Sequence, residues 1–329
     1  MVFSVVISVW KRPKELKLLL EALQKQARES GIFLQVIVSD SFSGAGIDNV
    51  VSNSVEYDCL DVVHIQTDNI LAKKRNVGAS FAKGDYIIFL DDDCIPAEGF
   101  LVDCLQQVKE ISKSDRVVIC GEIRFLDSQV NSSNYYKYRD SQHPKNINEK
   151  SELTAWSFVA MNYLICRERL IESNLQYGED FVGYGAEDHD YGFKLIANGF
   201  KIIQGHQKIM HYEYGGDIGK YSVKIYHSSR DGMATLKKVN PDLYSETSLK
   251  IKIIEDFFCK KTILSDLVFI LFFNLWMFKL VILFLQKIDG VSFLYLKGFY
   301  RYVVLQSYVR GVRDRNLAIE NNILKNWYE

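Results

Sequence analysis

Three consecutive aspartates, Asp91-Asp92-Asp93, close an apolar run of five residues, Tyr86-Ile87-Ile88-Phe89-Leu90. Side by side their charges repel, and withdrawal from water raises the pKa of each. A divalent cation removes both costs. An oxygen donor set suits Mg2+ or Mn2+, ions that also bind phosphate oxygens. Side chains alternate along an extended segment, so Asp91 and Asp93 are expected on one side and Asp92 on the other. Asp93 is then the direct metal ligand, and Asp91 assists through the metal, water or the bound ligand. A solvated acidic turn that caps a following helix is the alternative that the triplet by itself leaves open.

The elements around the triplet decide where it stands. Residues 3–9 are a continuous β-branched run, as in a strand covered on both faces. Pro13 opens a helix with Leu16, Leu19, Leu20 and Leu23 at helical spacing, and Gly31 follows its end. Val36-Ile37-Val38 and Val62-Val63-His64-Ile65 predict two more strands, and the first of these ends at Asp40. A helix over 71–82, a strand over 86–90 and a helix from Ala97 to Ile111 follow. This alternation predicts an α/β fold with a Rossmann-like, mostly parallel sheet flanked by helices. Ligands of such sheets bind beyond the carboxyl ends of the strands, where Asp40 and Asp91–Asp93 converge. The polar, tyrosine-rich stretch 127–150 is expected as a long surface loop that contributes to a binding site. Apolar structure resumes at Trp156–Cys166. Gly178–Gly185 lead into Glu187-Asp188 and a helix through Ala197, and a short strand, Lys201-Ile202-Ile203, precedes His206 and His211.

In combination and order these segments resemble family 2 glycosyltransferases of the GT-A fold. Ser4–Pro13 is similar to that family's opening strand and loop, Val36–Ser41 to its second strand, and Ala72–Gly78 with Gly84–Asp93 to its central motif ending in the DxD element. The resemblance covers about residues 3–215. Gly183-Tyr184-Gly185-Ala186-Glu187-Asp188-His189-Asp190 resembles the acceptor motif of galactosyltransferase-like and polymerase-like members, with Tyr184 where tryptophan is common and Ala186 where glycine is common. The resemblance implies an inverting transfer from a nucleotide sugar. Asp188 would be the general base, a carboxylate within reach of the attacking hydroxyl, and Glu187 would hold the acceptor beside it. Asp40, Arg75, Asp91 and Asp92 would bind the donor nucleotide, Arg75 through its bidentate guanidinium. One lysine of Lys73-Lys74 is expected on a solvated helix face. Asp93, Asp91 and a later histidine would bind Mn2+ or Mg2+, His211 fitting that place better than His206. The implied partners are a UDP-sugar carrying a hexose or N-acetylhexosamine and a saccharide or lipid-linked saccharide acceptor, in surface polysaccharide synthesis. A nucleotidyltransferase would want a glycine-rich loop after the first strand, and Trp10–Pro13 contains no glycine. A degenerate, membrane-anchored scaffold would not be expected to keep the acidic set at 91–93 and 187–188.

Charge distribution adds a location. The formal net charge is −1, which makes no case for nucleic acid as a partner. Residues 250–329 nevertheless hold 12 Lys/Arg against 7 Asp/Glu, a balance of +5, so the remainder carries −6. Within that tail, 17 of the 19 residues from 267 to 285 are apolar, the exceptions being Asn274 and Lys279. Val291–Val312 mixes aromatics with Lys297, Arg301 and Arg310. The sequence thus predicts a catalytic domain over 1–245 and a helical region over 246–329. That region is expected to associate with membrane lipids at the inner face of the cell membrane, as a helical hairpin on or in the leaflet, the protein being otherwise cytoplasmic; a membrane span and a soluble helical subdomain or dimer interface are the alternatives. None of the six cysteines shows CxxC spacing, as in a reducing compartment.

Overall fold

The computed structural model describes residues 2–42, 44, 46–54, 57–143 and 150–315. Met1, part of the stretch expected as a loop (144–149) and the last residues of the expected C-terminal region (316–329) lie outside the described residues. In chain order the elements are β1 (Phe3–Val9), α1 (Pro13–Ser30), β2 (Leu34–Asp40), α2 (Ile47–Asn53), β3 (Leu60–Gln66), α3 (Leu71–Ser80), β4 (Tyr86–Asp91), β5 (Cys94–Pro96), α4 (Phe100–Lys109) and β6 (Val117–Phe125). There follow α5 (Asp127–Ser132), α6 (Asn134–Asp140), β7 (Asn162–Cys166), α7 (Arg167–Ser173), α8 (Glu187–Ala197) and β8 (Lys201–His211). The remaining helices are α9 (Ile218–His227), a π-helix (Ser228–Gly232), α10 (Met233–Val239), α11 (Pro241–Ser245), α12 (Leu249–Cys259), α13 (Ile263–Phe272), α14 (Leu275–Lys287) and α15 (Lys297–Asp314).

Contacts group the chain into two compact units. The first comprises 1–124, 143–179 and 188–213, and the second comprises 125–142, 180–187 and 214–329. The first unit is a mixed eight-stranded sheet in the order β3-β2-β1-β4-β7-β6-β8-β5. Its first four strands are parallel, built from the β-branched runs that are buried on both faces: every residue of β1 and β2 is buried. The β4–β7, β7–β6 and β8–β5 pairings are antiparallel. α1 begins at Pro13, buries Leu16, Leu19, Leu20 and Leu23, and ends on Gly31 in the left-handed region at φ 65°. One core holds these leucines with Val5, Ile7 and Ile88 on one side of the sheet. Another holds Val6, Phe89, Tyr163 and Tyr191 on the other. Such alternation between adjacent strand residues is what a sheet covered on both faces requires.

Two sequence expectations are corrected. Residues 127–140 form two short helices rather than a loop: Ser133 caps α6, and Tyr135, Tyr136 and Tyr138 are buried in the second unit's core beside Phe125, Leu285 and Tyr300. Six- and seven-residue helices have too few turns to show a 3.6 period, and in α6 burial of the aromatic rings stabilises the helix instead. The strand expected to end at Ile203 continues to His211, because β8 pairs with β5 at Cys94↔His211, Ile95↔Met210 and Pro96↔Ile209.

Candidate active site

The triplet sits at the carboxyl end of β4, but only Asp91 belongs to the strand. Asp92 and Asp93 form a turn into β5, so the strand alternation expected for them does not apply. Instead they converge: Arg12 Nη1 lies 2.7 Å from Asp92 Oδ1 and 2.6 Å from Asp93 Oδ2. Asp92 also accepts from the backbone N–H of Trp10 at 3.1 Å. Both carboxylates are nearly closed to solvent, at 4% and 5% exposure. Burial pushes Asp92 up to about 6, against the pull of Arg12 and with a further push from Asp93. Arg12 follows β1 directly, in the Lys11-Arg12-Pro13 segment, where nothing in the sequence alone marks a role for it.

The β5–β8 pairing brings His211 to the same turn. Its Nε2 lies 3.3 Å from Asp93 Oδ2, and the N–H of Tyr212 donates to the Asp93 carbonyl at 2.7 Å. His206 lies five residues earlier on the same strand, an odd spacing that faces it the other way. Its Nε2 is 3.8 Å from Asp103, not near the triplet. A carboxylate and an imidazole at this separation are a donor pair that Mn2+ accepts. A guanidinium shared by two buried aspartates marks the turn as a place that demands a cation. Among the described residues no three metal-binding side chains are gathered into one cluster. One or two protein ligands completed by phosphate oxygens is the arrangement usual for such ions.

Arg75 on α3 is 3% exposed and joins the other two acidic points. Its Nη2 lies 3.1 Å from Asp91 Oδ1, and its Nη1 lies 2.9 Å from Asp188 Oδ1. The guanidinium also stands 5.2 Å from the ring of Tyr177. So the arginine expected on the donor nucleotide is engaged by two carboxylates. The Asp91 carboxyl is pushed up by burial, with Arg75 pulling down and Asp93 and Asp188 pushing further up. The second oxygen of Asp188 accepts from the backbone N–H of Ala160 at 3.0 Å. Beside it His189, lowered by burial, lies against Trp156 at 4.8 Å between ring centroids.

Asp40, fully buried at the end of β2, accepts through Oδ1 from the N–H groups of Ser41 (2.7 Å) and Phe42 (3.3 Å). Burial pushes its pKa up, and those N–H groups, Lys74 and His64 oppose the shift. Trp10 and Phe42 meet edge to face at 5.6 Å, with Lys11 Nζ over both rings. Of the two lysines, Lys73 is paired with Asp68 near the surface. Lys74 is 3% exposed and donates to the Val9 carbonyl and to Asn69 Oδ1. Burial lowers it to about 8, against the pull of Asp92 and Asp40. A lysine next to an arginine on a polar helix gives no sequence signal of such burial.

Glu187, 8% exposed, is the first residue of α8. Gly185 and Ala186 before it both have positive φ, 93° and 70°. Within the second unit this loop rests on the π-helix. A Cβ on Gly183 would stand 2.5 Å from Asp231 Cβ, and one on Gly185 would stand 2.6 Å from Ser228 Oγ. The insertion of one residue into a helix is a feature that recurs beside functional sites.

The family model described as "Glycosyl transferase family 2" matches residues 4–171. The chain is 25% identical over 236 residues to the amylovoran biosynthesis glycosyltransferase AmsB of Erwinia amylovora, covering 67% of this chain and 75% of that protein. It is 24% identical over 236 residues to the hyaluronan synthase of Pasteurella multocida, covering 61% of this chain and 24% of that longer protein. Among solved structures, residues 1–349 of S. aureus TarS align with a TM-score of 0.52 at 16% identity, over 95% of this chain and 90% of that one. TarS 1–349 has also been solved in complex with UDP-GlcNAc. At this identity the likeness to TarS is one of fold.

Proposed function

Because the chain belongs to glycosyl transferase family 2 and is a glycosyltransferase, we propose that it moves a hexose or N-acetylhexosamine from a UDP-sugar to a saccharide hydroxyl, with inversion, in surface polysaccharide synthesis. Support comes from the names of its relatives, an amylovoran biosynthesis glycosyltransferase and a hyaluronan synthase, and from the structure of TarS 1–349 in complex with UDP-GlcNAc. The observation that carries the mechanism is Arg75, which ties Asp91 at the end of β4 to Asp188 through a single guanidinium.

Asp188 is the general base. Both its oxygens accept from the protein, and each keeps a lone pair for an incoming hydroxyl. The hydroxyl proton passes to Asp188 as the hydroxyl oxygen bonds to the anomeric carbon. The bond from that carbon to the diphosphate oxygen breaks on the opposite face. Glu187 orients the acceptor. Asp40, fixed by two N–H groups, with the aromatic pair Trp10 and Phe42 nearby, receives the nucleoside. Asp93 and His211, with Asp91 in support, would hold Mn2+ or Mg2+. That ion, when bound, neutralises charge developing on the leaving diphosphate. Arg12, the cation now on Asp92 and Asp93, turns toward the donor phosphates as they arrive.

The test is hydrolysis and transfer across a panel of UDP-sugars, with and without Mn2+. Asp188→Asn should lower kcat by about a hundredfold or more while the protein still binds UDP. Near-normal turnover by that variant would remove Asp188 as the base. Asp93→Ala should abolish the response to Mn2+, and an unchanged metal response would remove the metal assignment.

A further inference from the structure

By length and composition, residues 263–287 could cross a membrane. They are nevertheless two helices, α13 and α14, and the break between them is built in. The side chain of Asn274 caps α14 by accepting from the N–H of Met277 at 2.7 Å. Three successive carbonyls at the break each accept from a side chain of α15. Phe272 accepts from Tyr302 Oη at 2.9 Å, Phe273 from Gln306 Nε2 and Arg310 Nη2, both at 2.8 Å, and Asn274 from Gln306 Nε2 at 3.0 Å. Straightening the two helices into one would strand these donors, Gln306 among them fully buried.

At about 1.5 Å per residue, α13 is about 15 Å long and α14 about 20 Å, and neither reaches across a hydrocarbon core of about 30 Å. Each has two unlike faces. One is held to α15: Asp266 pairs with Arg313 at 2.6 Å, Phe269 lies under Arg310 and Arg313, and Leu285 is fully buried. The opposite face exposes Leu264, Leu267 and Leu271 on α13 and Trp276, Leu280 and Leu283 on α14, from 45% to 75% open. Exposed lysines accompany this face: Lys260 and Lys261 before α13, Lys279 within α14 and Lys287 at its end. The only acid from 257 to 287 is Asp266, already paired with Arg313.

This charge pattern selects the occupant. In a span, Lys279 would sit deep in hydrocarbon, where a charge is costly. Against a second copy of the same face, lysines would confront lysines. At a leaflet surface their stems lie along the acyl chains, their ammonium groups reach lipid phosphates, and Trp276 sits at the interface. We infer that α13 and α14 lie in the plane of one leaflet of an anionic bilayer, inserted by the Leu264–Leu283 face and crossing nothing. The inference is independent of which sugar the enzyme transfers.

The full chain should float with vesicles containing about 30 mol% phosphatidylglycerol and far less with pure phosphatidylcholine. Leu267→Glu combined with Leu283→Glu should lower the bound fraction at least about tenfold. Both positions are exposed, so an unchanged melting temperature shows that the variant is folded. For topology, vesicle-bound protein is treated with a membrane-impermeant maleimide. Exposed Cys259 before α13 and a cysteine placed at exposed position 290 (Gly290→Cys) should both react from the outside. Protection of one of the two would mean a crossing helix and would overturn the inference. Equal flotation with and without the glutamates, or a soluble dimer that the double variant dissociates, would also overturn it.

Discussion

Replacing Arg75 by methionine tests the reading that this side chain holds two functional carboxylates in register. Methionine keeps the apolar stem and the contact with Tyr177 while removing the charge. Arg75 is 3% exposed, whereas the Asp91 and Asp188 side chains keep 27% and 23% of their surface. Removing one partner of a fully buried ion pair costs about 3–5 kcal/mol. With both carboxylates about a quarter open to solvent, the loss here is about 2–4 kcal/mol. For a chain of this length that corresponds to a melting temperature lower by about 3–6 °C. The loss should depend on pH in a defined direction. Burial already raises Asp91, and Arg75 is the main force pulling it down, so without Arg75 its folded pKa rises further. A carboxyl raised in the folded state is stabilising below its unfolded value of about 3.9 and loses that contribution as pH climbs through the folded one. The variant should therefore recover stability relative to wild type between neutral pH and about pH 4, read by thermal unfolding. In a double-mutant cycle with Asp91→Asn, the second substitution should cost much less in the Arg75→Met background than in wild type. An Arg75→Met protein that melts within about 1 °C of wild type at both pH values would refute the ion-pair account.

Three further outcomes follow from the same geometry. In metal-free protein Asp92 is raised to about 6, so its charge costs stability as pH rises from about 4 through that value. Asp92→Asn should gain on wild type across that window in urea titrations, and a flat difference would contradict it. Gly183→Ala should raise the acceptor KM or lower kcat at least about tenfold, because its methyl meets Asp231 Cβ at 2.5 Å and shifts the loop before Glu187. Unchanged KM and kcat for acceptor transfer would release that loop from any positioning role. Gln306→Leu should destabilise the second unit by about 1–3 kcal/mol, because it leaves the carbonyls of Phe273 and Asn274 short of a buried donor. Hydrogen exchange in α13 and α14 reads this directly, and unaltered protection would refute it.

The parallel half of the sheet was legible in the sequence because strands buried on both faces leave unbroken β-branched runs, as in Val5-Val6-Ile7 and Val36-Ile37-Val38. Asp40 and Asp91 followed from that, since strand ends are set by where the runs stop. The antiparallel half was less legible. β5 is three residues long, and its pairing with β8, which brings His211 to Asp93, is a long-range register with no local pattern. α6 owes its existence to tertiary burial of tyrosines that look polar in sequence. The roles of Arg12 and Lys74 were equally hidden, because both depend on carboxylates far along the chain or in another strand. Alternation failed at Asp92 and Asp93 for a plainer reason: the strand had already ended.

The guanidinium of Arg12 on Asp92 and Asp93 has a consequence for how the enzyme is made. A metal site whose ligands repel one another couples folding to loading, so that the empty chain is unstable and the cell must deliver the ion during synthesis. Here the protein carries its own counterion at the acidic turn. If the turn holds Mn2+ or Mg2+ as proposed, the chain can fold before the ion is loaded, and chelation should silence turnover while lowering the melting temperature only by the free energy of ion binding. On the same proposal, metal supply would act on the folded enzyme as a reversible throttle.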